Sequence, residues 1–248
     1  MSFALSAVAF VPGLAIGSFL NVVAARVPLK RSIVSPGSAC MRCGHELRWY
    51  DNVPVLSYLA LRGRCRGCDA RIGFVYPAVE LLTALLVAAS FLAFGWSGES
   101  FVAAFFCATL VTVSATDLSH RIVPNVVVLP AAAIVLVAMT ALDPSAEWAL
   151  GAFGAALFLF LAALAYPKGM GMGDVKLALL LGAMLGRVAP VALMLGMVAA
   201  LVPAVVLFVR HGSAARKMGI PFAPFLSLGG IVALFFGEEL LDAYLSSF

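Results

Sequence analysis

The composition of this chain is that of a protein embedded in a lipid bilayer. Its 248 residues are 63% hydrophobic and 11% charged, with a mean hydropathy of +1.08, whereas soluble domains are about half apolar and about one quarter charged. These values exclude a soluble globular protein, a disordered chain and a secreted disulfide scaffold, and a net charge of +4 is too small to indicate nucleic acid binding. We therefore predict an all-α polytopic membrane protein.

The apolar runs divide the chain into three predicted parts. Residues 1–25 carry no charge and predict a first transmembrane helix, because a cleaved signal peptide is shorter and begins with basic residues. Residues 26–72 are the one sizeable polar segment, here called the cysteine module, and residues 73–248 predict a seven-helix membrane domain. The seven predicted spans are 74–94, 101–117, 123–142, 148–166, 175–186, 190–209 and 221–241. About eight transmembrane helices follow, although the run 175–186 is only about 18 Å long.

The basic residues predict the orientation in the membrane. If the cysteine module is cytoplasmic, alternation of the eight spans places all but one of the 16 basic residues on the cytoplasmic side. Beyond the module these residues are Arg121, Lys168, Lys176, Arg210, Arg216 and Lys217, and the exception is Arg187. Such an excess is typical of cytoplasmic loops. We therefore expect both termini on the opposite side.

The cysteine module contains two C-x2-C pairs. They are Cys40 with Cys43, and Cys65 with Cys68. Four thiolates from two tight turns, which Gly44 and Gly67 are expected to relax, complete a closed tetrahedral Zn²⁺ site with a structural role. Paired disulfides or a redox dithiol are the alternatives, which a cytoplasmic location and the matched pairs disfavour. His45 and Glu46 begin like H-E-x-x-H, but the second histidine is absent, which excludes a zinc metalloprotease motif.

Acidic residues within the apolar runs are candidates for function because charges are costly in hydrocarbon. Glu80 lies one turn into the second predicted span, while Asp117 and Asp174 are expected at the same membrane face and at similar depth. Two carboxylates that share a proton can act as an aspartic protease pair. The spacing alone leaves another interpretation open, in which Asp174 caps a helix and Asp117 pairs with Arg121 or His120.

A series of short motifs runs in a fixed order along nearly the whole chain. The motifs are Gly17-Ser18-Phe19-Leu20-Asn21-Val22-Val23 with Arg26 and Pro28, the two cysteine pairs, Asn52 with Pro54, Ser57 and Leu59, Leu61-Arg62-Gly63, Tyr76-Pro77 with Glu80, Asp117 with Ile122 to Asn125, and Gly171, Gly173, Asp174 and Lys176. In this order they resemble the bacterial type IV prepilin peptidases, which are membrane aspartic proteases with a Gly-x-Gly-Asp motif. A small departure is Val123, which stands between Ile122 and Pro124 where an Ile-Pro pair is usual.

The resemblance implies a function in the bacterial inner membrane. Such enzymes cut the short basic leader from prepilins and pseudopilins of type II secretion, on the cytoplasmic side, after a glycine. Asp117 and Asp174 match the catalytic pair, with Gly171, Gly173 and Lys176 in the active-site loop. The form with the cysteine module also N-methylates the new amino terminus with S-adenosylmethionine, and the resemblance suggests Asn21, Arg26 and Glu80 for that step.

Two other function classes compete with this one. Ser97 lies in a G-x-S-G string like that of rhomboid serine proteases, but His120 and His211 are predicted on the opposite side of the membrane. A non-enzymatic transporter or pilus-assembly scaffold with a zinc-stapled loop would need polar residues along a central path. The polar residues of this chain are instead expected to gather at one membrane face.

Overall fold

The computed structural model describes residues 2–166, 170–212 and 219–247. In these ranges it contains nine α-helices and no strand, apart from two isolated bridges. This confirms the predicted all-α class. The helices are α1 (Ser2–Arg26), α2 (Leu56–Ala60), α3 (Val75–Phe94), α4 (Gly98–His120), α5 (Asn125–Leu142), α6 (Glu147–Ala165), α7 (Met172–Leu185), α8 (Ala189–His211) and α9 (Ala223–Leu245).

Seven helical segments of the described chain are long and apolar enough to cross a membrane. The sixth, Met172–His211, combines α7 and α8. Because α7 has 14 residues, it is about 21 Å long, which is less than the roughly 30 Å of a hydrocarbon core. The predicted count of about eight spans is therefore approximate, while the multi-pass character is clear. Three basic residues used to predict the orientation, Lys168, Arg216 and Lys217, lie outside the described residues.

The chain forms two compact units, Met1–Ala115 (unit 1) and Thr116–Phe248 (unit 2). Their boundary falls inside α4 rather than in a loop. The division predicted from the sequence into 1–25, 26–72 and 73–248 follows apolar runs and stays a prediction. Each unit is described below by itself.

In unit 1, small residues let α1 and α3 pack backbone against backbone. A Cβ atom on Gly13 would lie 2.7 Å from the Cα atom of Ala84, and one on Gly17 would lie 2.6 Å from the Cα atom of Glu80. Close approach through small residues is typical of helix pairs in membranes. The contact places Glu80 beside the C-terminal half of α1, the half that carries Asn21.

In unit 2, α7 packs against α5, α6, α8 and α9. Three of its leucines are fully buried: Leu177, Leu180 and Leu181. Gly182 lies so close to α6 that an added Cβ atom would overlap the carbonyl oxygen of Gly151. A short helix surrounded in this way is held by its neighbours, so its first turn, which carries Asp174, has a defined position.

Candidate active site and metal centre

The two aspartates of the predicted catalytic pair are both buried in unit 2. Asp117 lies in the last turn of α4 and is 6% exposed, and Asp174 lies in the first turn of α7 and is 9% exposed. The segment that follows Asp117 contacts the first turn of α7, since Val123 lies against Gly173, the residue before Asp174. Two remote positions of the chain therefore supply one site with two carboxyl groups.

A third helix end reaches the site from the C-terminal part of the chain. The backbone amide of Ala223, the first residue of α9, donates a hydrogen bond of 3.2 Å to Oδ2 of Asp117. A helix N-terminus presents free N–H groups and a partial positive charge, which stabilise a carboxylate. The sequence does not predict this contact, because the donor is a backbone group. Pro224 near the helix start is the one signal in the sequence that a helix begins there.

The glycines of the active-site loop allow close packing around Asp174. A Cβ atom on Gly173 would lie 2.8 Å from the Cβ atom of Val123, so this position accepts only glycine without a shift. One on Gly171 would lie 3.6 Å from Oδ2 of Asp174, which is an ordinary contact. The segment that follows Asp117 is thus packed directly against the first turn of α7.

Lys176 ties the starts of two helices together. Its Nζ atom donates a hydrogen bond of 2.8 Å to Oδ1 of Asn125, the first residue of α5. Asn125 belongs to the motif after Asp117, but the sequence did not indicate this partner. The contact holds the loop after α4 beside α7, and so supports the position of both aspartates.

The alternative in which each aspartate has a structural role rests on helix capping and ion pairing. The N-cap residue of α7 is Gly171, and Asp174 lies three residues later in the first turn. No salt bridge reaches Asp117 or Asp174 among the described residues. With one proton between them, the ionised carboxyl group can activate water while the protonated one polarises a carbonyl oxygen.

In unit 1, the four predicted metal ligands form one cluster. Their sulfur atoms all lie within 4.8 Å of one another. The Sγ atoms of Cys40 and Cys68 are 3.8 Å apart, and those of Cys43 and Cys65 are 3.9 Å apart. Tetrahedral zinc with Zn–S bonds of about 2.3 Å requires sulfur atoms about 3.8 Å apart. The cluster therefore fits a four-thiolate metal site, and all four cysteines are free of disulfides.

Each cysteine pair lies in a tight turn with its own hydrogen bonds to sulfur. The amide of Arg42 donates to Sγ of Cys40 at 3.5 Å, and the amide of Gly67 donates to Sγ of Cys65 at 3.4 Å. Gly44 has a φ of +71°, as the sequence predicts for a relaxed turn. In the second turn the positive φ, of +57°, belongs to Asp69, while Gly67 lies against the side chain of His45.

The thiols of the cluster do not ionise alike. The pKa of Cys40 is lowered to about 6 by hydrogen bonds from the backbone amides of Cys43 and Arg42. For Cys68, a backbone hydrogen bond at Ala70 lowers the thiol pKa, but the neighbouring thiol of Cys43, burial and the other sulfurs raise it to about 12. Four thiolates repel one another at this distance, and a bound cation removes that repulsion.

The three residues suggested for methylation line one cavity of about 890 Å³ in unit 1. Nδ2 of Asn21 donates to the carbonyl oxygen of Tyr76 at 3.1 Å, and Oε2 of Glu80 accepts from the amide of Val55 at 2.8 Å. The guanidinium group of Arg26 donates to the carbonyl oxygens of Ser32 and Gly37, each at 3.1 Å. The structure therefore brings Asn21, Arg26 and Glu80 to one cavity, although their chemical roles stay a prediction.

Ser97, the candidate nucleophile of the alternative protease class, has a structural role. Its hydroxyl group donates to the carbonyl oxygen of Phe94 at 3.0 Å and accepts from the amide of Ser100 at 3.3 Å. These bonds cap the start of α4. These hydrogen bonds explain the presence of a serine at this position, and no catalytic role is needed to explain it.

The fold and the site define a polytopic helical membrane protein with a pair of buried carboxyl groups and a four-thiol cluster. Residues 11–94 match the family described as Bacterial Peptidase A24 N-terminal domain, and residues 104–209 match the Type IV leader peptidase family. The chain belongs to this family of leader peptidases.

Curated relatives cover nearly all of the chain. A protein of Bacillus subtilis (strain 168) is 37% identical over 95% of this chain and 96% of its own length, and one of Pseudomonas aeruginosa is 34% identical over 94% and 91%. One of Myxococcus xanthus is 45% identical over 71% of this chain and 55% of its own length. All three carry the name "Prepilin leader peptidase/N-methyltransferase". No solved structure matches the chain.

Proposed function

We propose that this chain is a bifunctional membrane enzyme that removes the leader from prepilins or pseudopilins and then N-methylates the exposed amino terminus. The observation that carries the peptidase half is the pair of buried carboxyl groups, Asp117 in the last turn of α4 and Asp174 in the first turn of α7. The names of the relatives support both halves. They also favour an enzyme over a transporter or an assembly scaffold.

In the cleavage step, Asp117 and Asp174 share one proton. The ionised carboxyl group takes a proton from water as the water oxygen attacks the scissile carbonyl carbon, after a glycine of the leader. The protonated group hydrogen-bonds the carbonyl oxygen, and the proton then passes to the leaving amine as the peptide bond breaks. Gly171, where an added Cβ atom would make only ordinary contacts, leaves room for an extended substrate strand beside these groups, in a cavity that must admit water.

The basic residues support a location in the bacterial inner membrane with the cysteine module and both aspartates on the cytoplasmic side. Arg187, the exception to the charge pattern, bonds acidic groups instead: its side chain pairs with Glu238 and its amide donates to Glu147. Zn²⁺ is the metal that four thiolates favour, with Cys40, Cys43, Cys65 and Cys68 as its ligands. Its role is to hold the two turns of the module together.

In the methylation step, S-adenosylmethionine supplies the methyl group. Asn21, Arg26 and Glu80 are the residues proposed to act in this step, since they line one cavity of unit 1. That cavity includes no residue of unit 2. Separate sites for the two steps would allow one activity to be lost while the other is kept.

The function is tested by incubating the purified full chain with a prepilin and S-adenosylmethionine, followed by mass spectrometry of the product's amino terminus. We expect cleavage after a glycine and a mass increase of one methyl group. Uncleaved prepilin would contradict the peptidase proposal, and a cleaved but unmethylated product would contradict the methyltransferase half.

A further inference from the structure

The cavity of unit 1 has the size of a small-molecule site. Its volume of about 890 Å³ lies within the range of roughly 300–1,000 Å³ that is usual for ligand pockets. Its walls come from α1, the cysteine module and the start of α3. No motif of the sequence identifies its ligand.

The charges along the wall of this cavity are not balanced. Each acidic side chain that lines it has a partner: Asp51 pairs with Arg66 at 2.8 Å, Asp69 pairs with Arg64 at 2.6 Å, and Glu80 accepts the amide of Val55 at 2.8 Å. Three more arginines, Arg26, Arg42 and Arg71, also line the cavity, and none has a carboxylate partner among the described residues. The guanidinium group of Arg26 is held by the carbonyl oxygens of Ser32 and Gly37, whereas no hydrogen bond is described for those of Arg42 and Arg71.

These two arginines lie on the two cysteine turns. Arg42 lies between Cys40 and Cys43, and Arg71 lies three residues after Cys68. The cysteine cluster thus joins the two segments that carry these arginines. A free carboxylate is the ligand group that such a pair binds through two parallel hydrogen bonds.

A buried carboxyl group in the wall of the same cavity contacts a residue with an unusual backbone conformation. Glu80 is 9% exposed, and the amide that it accepts belongs to Val55, which has a φ of +60°. A β-branched residue rarely adopts this conformation, so the surrounding structure must enforce it. In this conformation the amide of Val55 donates to Oε2 of Glu80, and this hydrogen bond holds the carboxyl group at the wall of the cavity.

We propose that this cavity is the binding site of the methyl donor. Arg42 and Arg71 bind the carboxylate of its amino acid portion, and Glu80 faces its positively charged sulfur. This inference rests on the proposed methyltransferase function and adds the location of the donor and its orientation. The donor's methyl group then points to the end of the cavity formed by α1 and α3, where the amino terminus of a cleaved membrane helix can approach.

The charges change as the methyl group is transferred. The lone pair of the neutral amine attacks the methyl carbon, the C–S bond breaks with its electron pair on sulfur, and the proton lost by the amine goes to water. The sulfur is then neutral. Because Glu80 attracts the cationic donor and not the neutral thioether, the site favours S-adenosylmethionine over the product S-adenosylhomocysteine.

The orientation is tested by measuring the binding of both compounds to the purified full chain by equilibrium dialysis. We expect the wild-type protein to bind S-adenosylmethionine about fivefold more tightly than S-adenosylhomocysteine, and Glu80→Gln to bind them equally. The side-chain oxygen of the glutamine can still accept a hydrogen bond from the amide of Val55, so the wall of the cavity is preserved. An equal loss of affinity for both compounds would overturn the role of Glu80.

The location is tested with Arg42→Gln/Arg71→Gln. We expect about tenfold weaker binding of S-adenosylhomocysteine but unchanged binding of adenosine, which lacks the carboxylate. Arg31→Gln removes an exposed arginine of the same segment that does not line the cavity, and it should bind like the wild type. Unchanged binding by the double variant, in a protein that still methylates prepilin, would place the donor elsewhere and leave the proposed function intact.

Discussion

The two compact units present their polar groups in different ways. In unit 1, the four cysteines lie on two short turns, and two of them are exposed to solvent. In unit 2, Asp117 and Asp174 are buried at helix ends and depend on α5, α7 and α9 for their neighbours. The comparison teaches that a metal ion can hold together a site built from short turns, whereas two carboxyl groups buried in a membrane protein need several helices around them.

The largest expected effect is the loss of either carboxyl group in unit 2. Asp117→Asn and Asp174→Asn should each reduce prepilin cleavage by about a thousandfold, because an amide cannot carry the shared proton. Cleavage is measured by mass spectrometry, and gel filtration shows whether the protein stays folded. Normal cleavage by either folded variant would contradict the aspartyl mechanism.

Gly173→Ala should have the next largest effect. The new Cβ atom would meet the Cβ atom of Val123 at 2.8 Å and displace the first turn of α7, and a small misplacement of reacting groups costs about a hundredfold in rate. The matched control is Gly154→Ala in α6, where an added Cβ atom meets nothing within 4 Å.

A compensating change sharpens this prediction. Val123→Ala removes the atoms that the new methyl group would strike, so Gly173→Ala/Val123→Ala should recover most of the cleavage rate. A double variant that stays as slow as Gly173→Ala would show that the glycine serves another purpose than packing.

Cys40→Ser should affect the methylation activity, assigned to unit 1, more than the cleavage activity, assigned to unit 2. Metal analysis of the wild-type protein should find about one zinc ion per chain, and the variant should lose it together with most of the methylation activity. Cleavage should fall much less, because both aspartates belong to unit 2. Cys107→Ala serves as the control, since this cysteine lies in α4 and outside the cluster.

An equal loss of cleavage and methylation in Cys40→Ser would contradict that separation. It would mean that the module supports the folding of the whole chain. Reduced wild-type protein without zinc would overturn the assignment of the metal itself.

The smallest expected effect concerns Lys176 and Asn125. Lys176→Met and Asn125→Ala each remove one exposed hydrogen bond of 2.8 Å, so each should slow cleavage by about tenfold or less. The double variant should be no slower than either single one, because both changes remove the same contact. Additive losses would show that the two side chains act independently.

Local patterns predicted much of this molecule. The predicted span 74–94 corresponds to Val75–Phe94, and the predicted span 190–209 corresponds to Ala189–His211. The length of each apolar run predicts the bounds of these helices, and two C-x2-C pairs within one short segment indicate a candidate metal site. The short run 175–186 was harder, because α7 begins at Met172 and is held by its neighbours rather than by its length.

The sequence by itself therefore determined the membrane class, the positions of most helices, the four cysteines of the cluster and the two candidate carboxyl groups. Only the tertiary structure decided that the start of α9 donates to Asp117, that Val123 packs at Gly173, and that Arg42 and Arg71 line one cavity with Glu80. These contacts join residues that are remote in the chain. Helix packing and turn geometry create these contacts, and the spacing of residue types along the chain predicts neither of them.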